Sequence, residues 1–554
     1  MTNSESFVHL HVHTDYSMLD GAAKIKQLVK EVAAQEMPAV AMTDHGNMHG
    51  AYEFYTAAKD VGIKPIIGLE AYLTPGTHRT DKSPVRWGDG GDDDISGNGA
   101  YTHMTLLSET TEGMHNLFKM SSHSWLEGIY YKPRIDRELL NKYAKGTIAT
   151  SGCAGGEIQV RLRLGQYDEA KRIAGEMREI FGKDNYFIEI MDHNLSINRR
   201  TMKELVTLSK ELSIPLLATN DLHYIHATDA KSQEALLCLQ TGSTLNEAKR
   251  FKFDSDEYFV KSAADMRRTF ADLPEACDNT LLIAERSNVT FEKRELMPQF
   301  PVPEGETEAS WFAKEVHRGL AKRFSGEVPK AHYDQAEYEI GVIVKMGFSG
   351  YFLVVADFIA WARNNGVRVG PGRGSAAGAI VAWAMAITDL DPIEHGLIFE
   401  RFLNPSRVNL PDIDIDFDDR GRGEVIKYVT AKYGADRVAQ IVTFNTIKAK
   451  QALKDAARVL AMPYAVGEKL TKALPKMVLG RDVMLAEVVE KTIDGKKNER
   501  FKEAAEFREL IEKDEDSAQV FELARGLEGL KRGWSVHAAG VIMSSVPLVE
   551  VMPM

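Results

Sequence analysis

The stretch HLHVHTDYSMLDG, residues 9–21, places three histidines and two aspartates within thirteen residues. In an extended strand, side chains two residues apart point to the same face, so His9, His11 and His13 would align there. A row of imidazoles suggests a metal site. A single H-x-H pattern, however, belongs more often to ordinary surface or core histidines, so a metal site requires further ligands elsewhere in the chain.

The sequence that follows alternates between strand-like and helix-like segments, as in an α/β fold. From residue 7 to about residue 285, short apolar or β-branched runs alternate with longer amphipathic segments. This alternation is typical of repeated βα units around a parallel sheet. The candidate strands are FVHLHV, AVAMT, KPIIGLEAY, THMTLL, TIATS, YFIEIM and PLLATN.

Residue types that bind metals fall at or near the ends of these strands. In closed βα barrels, side chains at the carboxyl ends of the strands converge on one face, so these residues are expected to meet. Imidazoles, carboxylates and one thiolate suit zinc or a similar first-row ion, and nine ligands could hold two or three ions. The nine residues are His11, His13, Asp20, His45, Glu70, His103, Cys153, Asp221 and His223.

Composition describes an ordinary globular chain of several domains. Of 554 residues, 44% are hydrophobic and 27% charged, as in average soluble proteins. The longest apolar run, AAGAIVAWAMAI at residues 376–387, is shorter than the ~20 residues that a membrane helix requires, and it predicts a buried helix. Three cysteines and an N-terminus without a signal-peptide pattern favour a cytoplasmic protein. A net charge of −12 does not exclude DNA binding through local basic surfaces.

A Pro-rich connector at residues 297–306 precedes a second kind of site. The sequence GVRVGPGRGSAAG predicts a short strand, a Gly-rich turn and a helix that begins at about Ser375. Glycines allow close approach of the backbone to a phosphate, and a helix N-terminus offers free N–H groups. Arg373 and the Ser375 hydroxyl add donors. The turn therefore predicts a phosphate site, although the lysine of a Walker loop is absent.

The segment VNLPDIDIDFDD, residues 408–419, predicts a strand with one acidic face. Alternation places Asp412, Asp414 and Asp416 on that face, while the residues between them pack behind. Carboxylates in such a row can share two magnesium ions ~3.5 to 4 Å apart, the arrangement used for displacement at phosphorus. A bare D-x-D is more often a solvated edge strand, but the nearby GRGS turn favours catalysis.

The elements HLHVHT, Asp20, TDHG, GLE, THM, SGC and NDLH resemble the polymerase-and-histidinol-phosphatase (PHP) domain at the N-terminus of bacterial DNA polymerase III α subunits. The resemblance implies a distorted (β/α)7 barrel over residues 1–285. It also implies that the residues at all nine ligand positions bind a metal cluster, which supports 3′ to 5′ exonuclease proofreading. His9 lies outside this ligand set and is expected to be structural.

The pair GRGS and PDIDIDF resembles the palm of the C-family polymerases, which is similar to the α+β palm of the polymerase β superfamily. The resemblance implies a first part of the palm at residues 286–442. Asp412 and Asp414 would bind two Mg²⁺ ions and act in catalysis, and Gly374 and Ser375, beside Arg373, would hold the incoming nucleotide. Two further arginines match family residues near the same phosphates, although each could equally be a surface arginine in a salt bridge: Arg401 and Arg407.

The helical segment that follows resembles the family's thumb, which is expected at residues 443–524. Lys448, Lys450 and Lys454 would contact the phosphates of a primer-template duplex, although such a run is commonly just a solvated helix face. Residues 525–554 resemble an incomplete return into the palm. The family's third catalytic carboxylate lies beyond this stretch, so we expect the chain to represent about half of an α subunit, unable by itself to extend a primer.

The resemblance implies a replicative DNA-directed DNA polymerase with intrinsic proofreading. Its implied partners are DNA primer-template, dNTPs, a sliding clamp and other replisome subunits, with no membrane. Three alternatives stay open on the sequence: an error-prone paralogue of the α subunit, a PHP-type phosphatase acting on a small phosphate ester, and a non-catalytic scaffold. A phosphatase would need only the barrel, whereas here GRGS and PDIDIDF follow it.

Overall fold

The computed structural model describes residues 5–91, 93–404, 406, 411–493 and 495–554. Arg407 therefore lies outside the described residues. The chain forms two compact units. The first unit comprises Met1–Glu292, Val442–Ser535 and Val549–Met554, and the second comprises Lys293–Ile441 and Val536–Leu548. The finer division into palm and thumb stays a prediction.

The first 292 residues contain alternating strands and helices, as the sequence predicts. The strands are β1 (Ala39–Met42), β2 (Lys64–Leu73), β3 (Thr102–Ser108), β4 (Ile129–Tyr130), β5 (Lys132–Ile135), β6 (Thr147–Thr150), β7 (Tyr186–Ile190) and β8 (Leu216–Ala218). The helices are α1 (Ile25–Ala34), α2 (Ala51–Asp60), α3 (Ser96–Gly99), α4 (Thr111–Leu126), α5 (Arg137–Tyr143), α6 (Glu157–Arg163), α7 (Tyr167–Phe181), α8 (Ser196–Leu212), α9 (Ala230–Thr241), α10 (Ala263–Thr269) and α11 (Pro274–Arg286), with a 3₁₀ turn at Ala227–Asp229.

These eight strands form one sheet in the order β4-β5-β2-β3-β6-β7-β8, with β1 also paired to β2. The α/β fold is confirmed, but the expectation of an all-parallel sheet is wrong. Strand β3 is antiparallel to both β2 and β6, while β1–β2, β2–β5, β6–β7 and β7–β8 are parallel. The described part of the segment between β2 and β3 is mostly loop with one four-residue turn of helix, and it contains no long crossover helix of the kind that joins parallel strands.

The predicted first strand, FVHLHV, is an extended segment rather than a regular strand. Backbone hydrogen bonds nevertheless attach this segment to the sheet. Ala41 N–H donates to the carbonyl of His9 at 2.9 Å, and Leu222 N–H donates to that of His11 at 3.0 Å. His13 N–H in turn donates to the carbonyl of Leu222 at 2.7 Å. The segment therefore joins the chain near β1 to the chain just after β8, and both lie beside the histidines.

The helices of the rest of the chain are α12 (Glu308–Arg323), α13 (Lys330–Lys345), α14 (Ser349–Asn364), α15 (Ile380–Ala384), α16 (Arg422–Tyr433), α17 (Ala449–Val459), α18 (Tyr464–Ala473), α19 (Leu485–Val489), α20 (Arg500–Glu503), α21 (Ala505–Lys513) and α22 (Glu515–Leu527). The strands are β9 (Val438–Thr446), β10 (Thr492–Ile493), β11 (Lys496–Lys497) and β12 (Lys531–Met543), with 3₁₀ turns at Ser375–Gly378, Phe399–Arg401 and Leu548–Glu550.

The second unit has its own core, centred on the apolar residues of α12, α13, α14 and α15. The run at 376–387 was expected to form one buried helix. It forms instead a 3₁₀ turn, Ser375–Gly378, and the separate short helix α15. Ala379 between them has extended backbone angles (φ −98°, ψ 120°), which end the first turn before the second begins. The residues of α15 are buried, as predicted.

Within the described residues, no single helix combines the length and hydropathy needed to cross a bilayer. Helices α13 and α14 meet those criteria only when taken as a pair, which is bent by 113°.

Helix α2 shows how burial of one face stabilises the first unit. Phe54 is fully buried in the core, while Tyr52, two residues earlier, is 62% exposed. We expect Phe54→Ala to lower the free energy of unfolding by about 3 to 5 kcal/mol, because it leaves a cavity. Tyr52→Ala is the matched control and should change it by less than about 1 kcal/mol. Urea denaturation measures both, and equal losses would contradict the assigned packing.

Candidate active centres

The nine predicted metal ligands come together in the first unit around Glu70, which is buried at the end of β2. Nδ1 of His45 lies 2.5 Å from Glu70 Oε2, and Nδ1 of His103 lies 2.9 Å from Glu70 Oε1. Nε2 of His11 is 3.3 Å from the same Oε1, and Cys153 Sγ is 3.4 Å from it. One carboxylate thus contacts groups contributed by four separate segments of the chain.

Two aspartates complete the cluster. Asp221 Oδ1 lies 3.2 Å from His13 Nε2, 3.3 Å from His11 Nε2 and 3.7 Å from His223 Nδ1. Asp20 Oδ2 lies 3.0 Å from His45 Nε2. Asp221 also has a positive φ of 45°, a strained conformation for a residue other than glycine that occurs often at functional sites.

Six buried polar atoms in this cluster have no hydrogen-bond partner. Ligand atoms in the sets His13–His45–His223, His11–His13–Glu70 and His45–Glu70–His103 lie within 4.8 Å of one another. Buried nitrogen and oxygen atoms without partners are unfavourable unless something else satisfies them. The atoms concerned are His11 Nε2, His13 Nε2, His45 Nδ1, Glu70 Oε2, Asp221 Oδ1 and His223 Nε2. The chemistry of these donors fits metal binding, and shared ligands such as Glu70 suit neighbouring ions.

Electrostatics in the cluster follow from burial and mutual contact. Burial opposes protonation of His45, but Glu70 and Asp20 outweigh it and raise its pKa to about 10. Burial, together with His45 and His223, lowers the pKa of His13 to about 3. Burial disfavours the charge of Glu70, yet His103, His45 and His11 hold its pKa well below the usual value. Opposite charges therefore compensate one another inside the protein.

Sequence reasoning missed Glu189, which lies behind the cluster in β7. It is fully buried, and its Oε1 accepts a hydrogen bond from His11 Nδ1 at 2.7 Å. The signal in the sequence was a single carboxylate within the otherwise apolar strand YFIEI. Such a residue cannot be solvated, so it must have buried partners. His9, by contrast, contacts the backbone carbonyl of Lys261 at 2.9 Å.

The second unit brings the GRGS turn next to the aspartate segment. Arg373 Nη1 donates to Asp414 Oδ2 at 3.1 Å, and its Nε donates to Asp416 Oδ1 at 3.3 Å. Gly374 has φ +71°, and a Cβ atom there would lie 3.5 Å from Asp414 Oδ2. Glycine thus permits both the turn and its close approach to the carboxylate. Asp412 is exposed beside them.

The predicted regular strand at 408–419 is not formed in the described part, residues 411–419. Instead, an extended segment pairs with residues 367–370 through one antiparallel bridge, Val369–Phe417. Gly370 N–H donates to the carbonyl of Asp416 at 2.8 Å, and Asp418 N–H donates to that of Arg368 at 3.0 Å. The predicted alternation still holds, because the intervening side chains pack against the core of the unit: Ile413, Ile415 and Phe417.

For the remaining predicted residues, the structure gives a position but few contacts. Arg401 is exposed at the end of the 3₁₀ turn Phe399–Arg401, and no hydrogen bond joins it to the aspartates among the contacts described. In the first unit, Lys448 precedes α17, and Lys450 and Lys454 lie on its exposed side. Lys448 Nζ is 3.9 Å from Asp482 Oδ2. The roles of all four residues stay predictions.

Glu339, on α13, holds the helix that follows the GRGS turn. It is fully buried, and its Oε2 accepts from the N–H of Val381 at 3.1 Å, in the first turn of α15. Its Oε1 accepts from Gln335 Nε2 at 3.0 Å. Burial raises the pKa of Glu339 to about 7 from 4.5. Sequence reasoning did not find this carboxylate, because its backbone partner Val381 lies 42 residues away.

The raised pKa predicts a pH-dependent stability. The folded protein favours the protonated carboxyl, so this stabilisation is complete below pH 4.5 and is lost as the pH rises to about 7. Glu339→Gln stays neutral with nearly the same shape. The melting temperature of the variant minus that of the wild type should therefore increase between pH 5 and pH 8. Calorimetry at both values measures this difference, and a pH-independent difference would contradict the assignment.

Comparisons with known proteins agree with this arrangement of two sites. Residues 9–193 match the PHP domain family, and residues 310–554 match the family described as "Bacterial DNA polymerase III alpha NTPase domain". The "DNA polymerase III subunit alpha" of Mycobacterium tuberculosis strain H37Rv is 54% identical over 558 residues, which cover 99% of this chain and 47% of that protein. That of Thermus aquaticus is 40% identical over 619 residues, covering 100% of this chain and 48% of that protein.

A solved amidohydrolase structure from Chromobacterium violaceum is 15% identical, with a TM-score of 0.25 and coverage of 40% of this chain and 88% of that chain. This score is too low to inform the geometry of the site. The chain spans about half the length of the curated relatives that it matches. Its two matched domains and its identity to those relatives show that it belongs to the family of bacterial DNA polymerase III α subunits.

Proposed function

We propose that this chain is part of a replicative DNA-directed DNA polymerase that also proofreads through its PHP domain. The observation that carries the proposal is the presence of two distinct centres in one polypeptide. One is the histidine and carboxylate cluster around Glu70, and the other is the GRGS turn held against Asp414 and Asp416. A small-molecule phosphatase needs only the first, so the match over residues 310–554 favours the polymerase.

In the PHP centre, the nine clustered side chains would hold two or three ions of Zn²⁺ or a similar metal. Such ions supply an activated water and stabilise charge on the oxygens of a phosphodiester, so cleavage needs no protein nucleophile. The contribution of the protein is to hold the metal ligands in position. Glu70 contacts four histidines and Asp221 contacts three, which keeps the ligands within one small volume and fixes their orientation.

In the palm, Asp412 and Asp414 would hold two Mg²⁺ ions, which orient the attacking and leaving oxygens in nucleotidyl transfer. Gly374 leaves its backbone open to a triphosphate, and the Ser375 hydroxyl and Arg373 guanidinium offer donors to it. Arg401 and Arg407 would add positive charge nearby. Arg373 contacts both Asp414 and Asp416, which suits a residue that links carboxylates to phosphates.

The exposed lysines of α17 support a role in DNA binding. Lys448, Lys450 and Lys454 would contact phosphates of the primer-template duplex, an interaction that weakens with salt. Family membership further suggests dNTPs as substrates, a sliding clamp and other replisome subunits as partners, and the bacterial cytoplasm as location. An error-prone paralogue would share the palm, but the complete set of nine ligands favours the proofreading type.

A primer digestion assay tests the division between the two centres. Incubated with divalent metal and a labelled primer-template, the wild type should shorten the primer from its 3′ end. Asp221→Asn should slow this by about 100-fold or more, because it removes a ligand that contacts three histidines.

Asp412→Asn is the matched control, since it makes the same chemical change in the other centre. Its rate of primer shortening should equal that of the wild type. Gel electrophoresis of the products measures all three proteins, with circular dichroism to establish that each is folded. Normal digestion by Asp221→Asn, or its loss in Asp412→Asn, would refute the proposed division.

Binding of a fluorescent dNTP with Mg²⁺ tests the palm separately. Arg373→Ala should raise the Kd by about tenfold, because a charge-assisted contact to phosphate is lost. Arg420→Ala is the control, since Arg420 is an exposed arginine of the same unit that pairs with Asp418 instead. An unchanged Kd in Arg373→Ala would remove this residue from the nucleotide site.

A further inference from the structure

Glu189 is a buried carboxylate that the proposed chemistry does not use directly. It lies in β7, whose other residues are apolar, and none of its surface is exposed. A carboxylate in such a place is unfavourable unless hydrogen bonds replace its lost hydration. The identity of its partners therefore indicates why the position holds a charge.

Four donors from four separate segments surround this carboxylate. Oε1 accepts from His11 Nδ1 at 2.7 Å and from the Thr219 hydroxyl at 2.6 Å. Oε2 accepts from the Thr105 hydroxyl at 3.3 Å and from the Thr150 hydroxyl. A carboxylate has about four lone-pair positions, and these four donors occupy them. Glu189 is thus an acceptor at every position.

This arrangement fixes the tautomer of His11. Because Glu189 can only accept, a neutral His11 imidazole carries its proton on Nδ1, and its Nε2 then presents a lone pair. Nε2 points into the cluster, 3.3 Å from both Glu70 Oε1 and Asp221 Oδ1, and has no hydrogen-bond partner. A lone pair facing two carboxylate oxygens is favourable only when a cation lies between them.

We propose that Glu189 is a positioning residue of the PHP centre, which orients His11 and strengthens Nε2 as a metal ligand. The inference rests on the proposed metal-dependent function and deepens it. A carboxylate behind an imidazole raises the basicity of the ligand. Two other histidines of the cluster have neutral hydrogen-bond partners at Nδ1: His13 Nδ1 lies 3.0 Å from the Ser17 hydroxyl, and His223 Nδ1 lies 2.6 Å from the carbonyl of Asp221.

The test is the affinity of the whole chain for Zn²⁺, measured by competition with a fluorescent zinc chelator, with metal content measured by mass spectrometry. Glu189→Gln keeps the size of the side chain and removes its charge. We expect it to raise the Kd for Zn²⁺ by about 10- to 100-fold. Glu109→Gln is the control, because Glu109 pairs with Arg286 in the same unit and contacts none of the nine cluster residues in the described structure; it should bind Zn²⁺ like the wild type.

The melting temperature in excess chelator separates positioning from a general structural role. Glu189→Gln should remain folded there, with its deficit appearing on addition of Zn²⁺. Thr219→Val is a milder second variant that removes one donor to Oε1, and it should show a smaller loss of affinity. Wild-type affinity in Glu189→Gln, or a loss of affinity that only accompanies unfolding in chelator, overturns the inference. If the wild type shortens the primer, the proposed function stands even when the inference about Glu189 fails.

Discussion

The structure of the first unit depends on the compensation of buried charge around Glu70. A carboxylate with almost no exposed surface is surrounded by imidazoles from segments near residues 11, 45 and 103. None of these groups could be buried alone without a large loss of hydration energy. Together these groups partly compensate one another's charge. The buried atoms that remain without hydrogen-bond partners mark the positions that cations would occupy. The apolar residues of the sheet bring the members of this cluster close enough to do so.

The convergence of most metal-type residues could be predicted because they lie near or just after the carboxyl ends of parallel strands. An antiparallel strand presents its amino end at the edge where parallel strands present their carboxyl ends. His103 therefore reaches the cluster because it lies near the amino end of β3, which is antiparallel to β2. Strand direction itself was not predictable, because an apolar run carries the same pattern in either direction.

What the sequence could not provide were contacts between residues far apart in the chain. Glu189 is a single carboxylate within an apolar strand, and its partners come from other segments; Glu339 accepts from Val381 of another helix. In the second unit, alternation correctly assigned one face to the aspartates and the other to the core. It did not indicate that Arg373 would join Asp414 to Asp416, since a guanidinium can reach many partners at the end of a flexible turn.

The order in which the chain contributes to the two units affects its synthesis. Residues of the first unit occur before and after those of the second, so the polypeptide passes between them four times. A ribosome completes the strands and their nine clustered side chains well before it makes α17 to α22. Part of the surface of α9 packs against those later helices, since Ala235, Leu236 and Cys238 share a core with them. During translation more than two hundred residues separate α9 from α17, so this apolar face lacks these packing partners until the later helices are made.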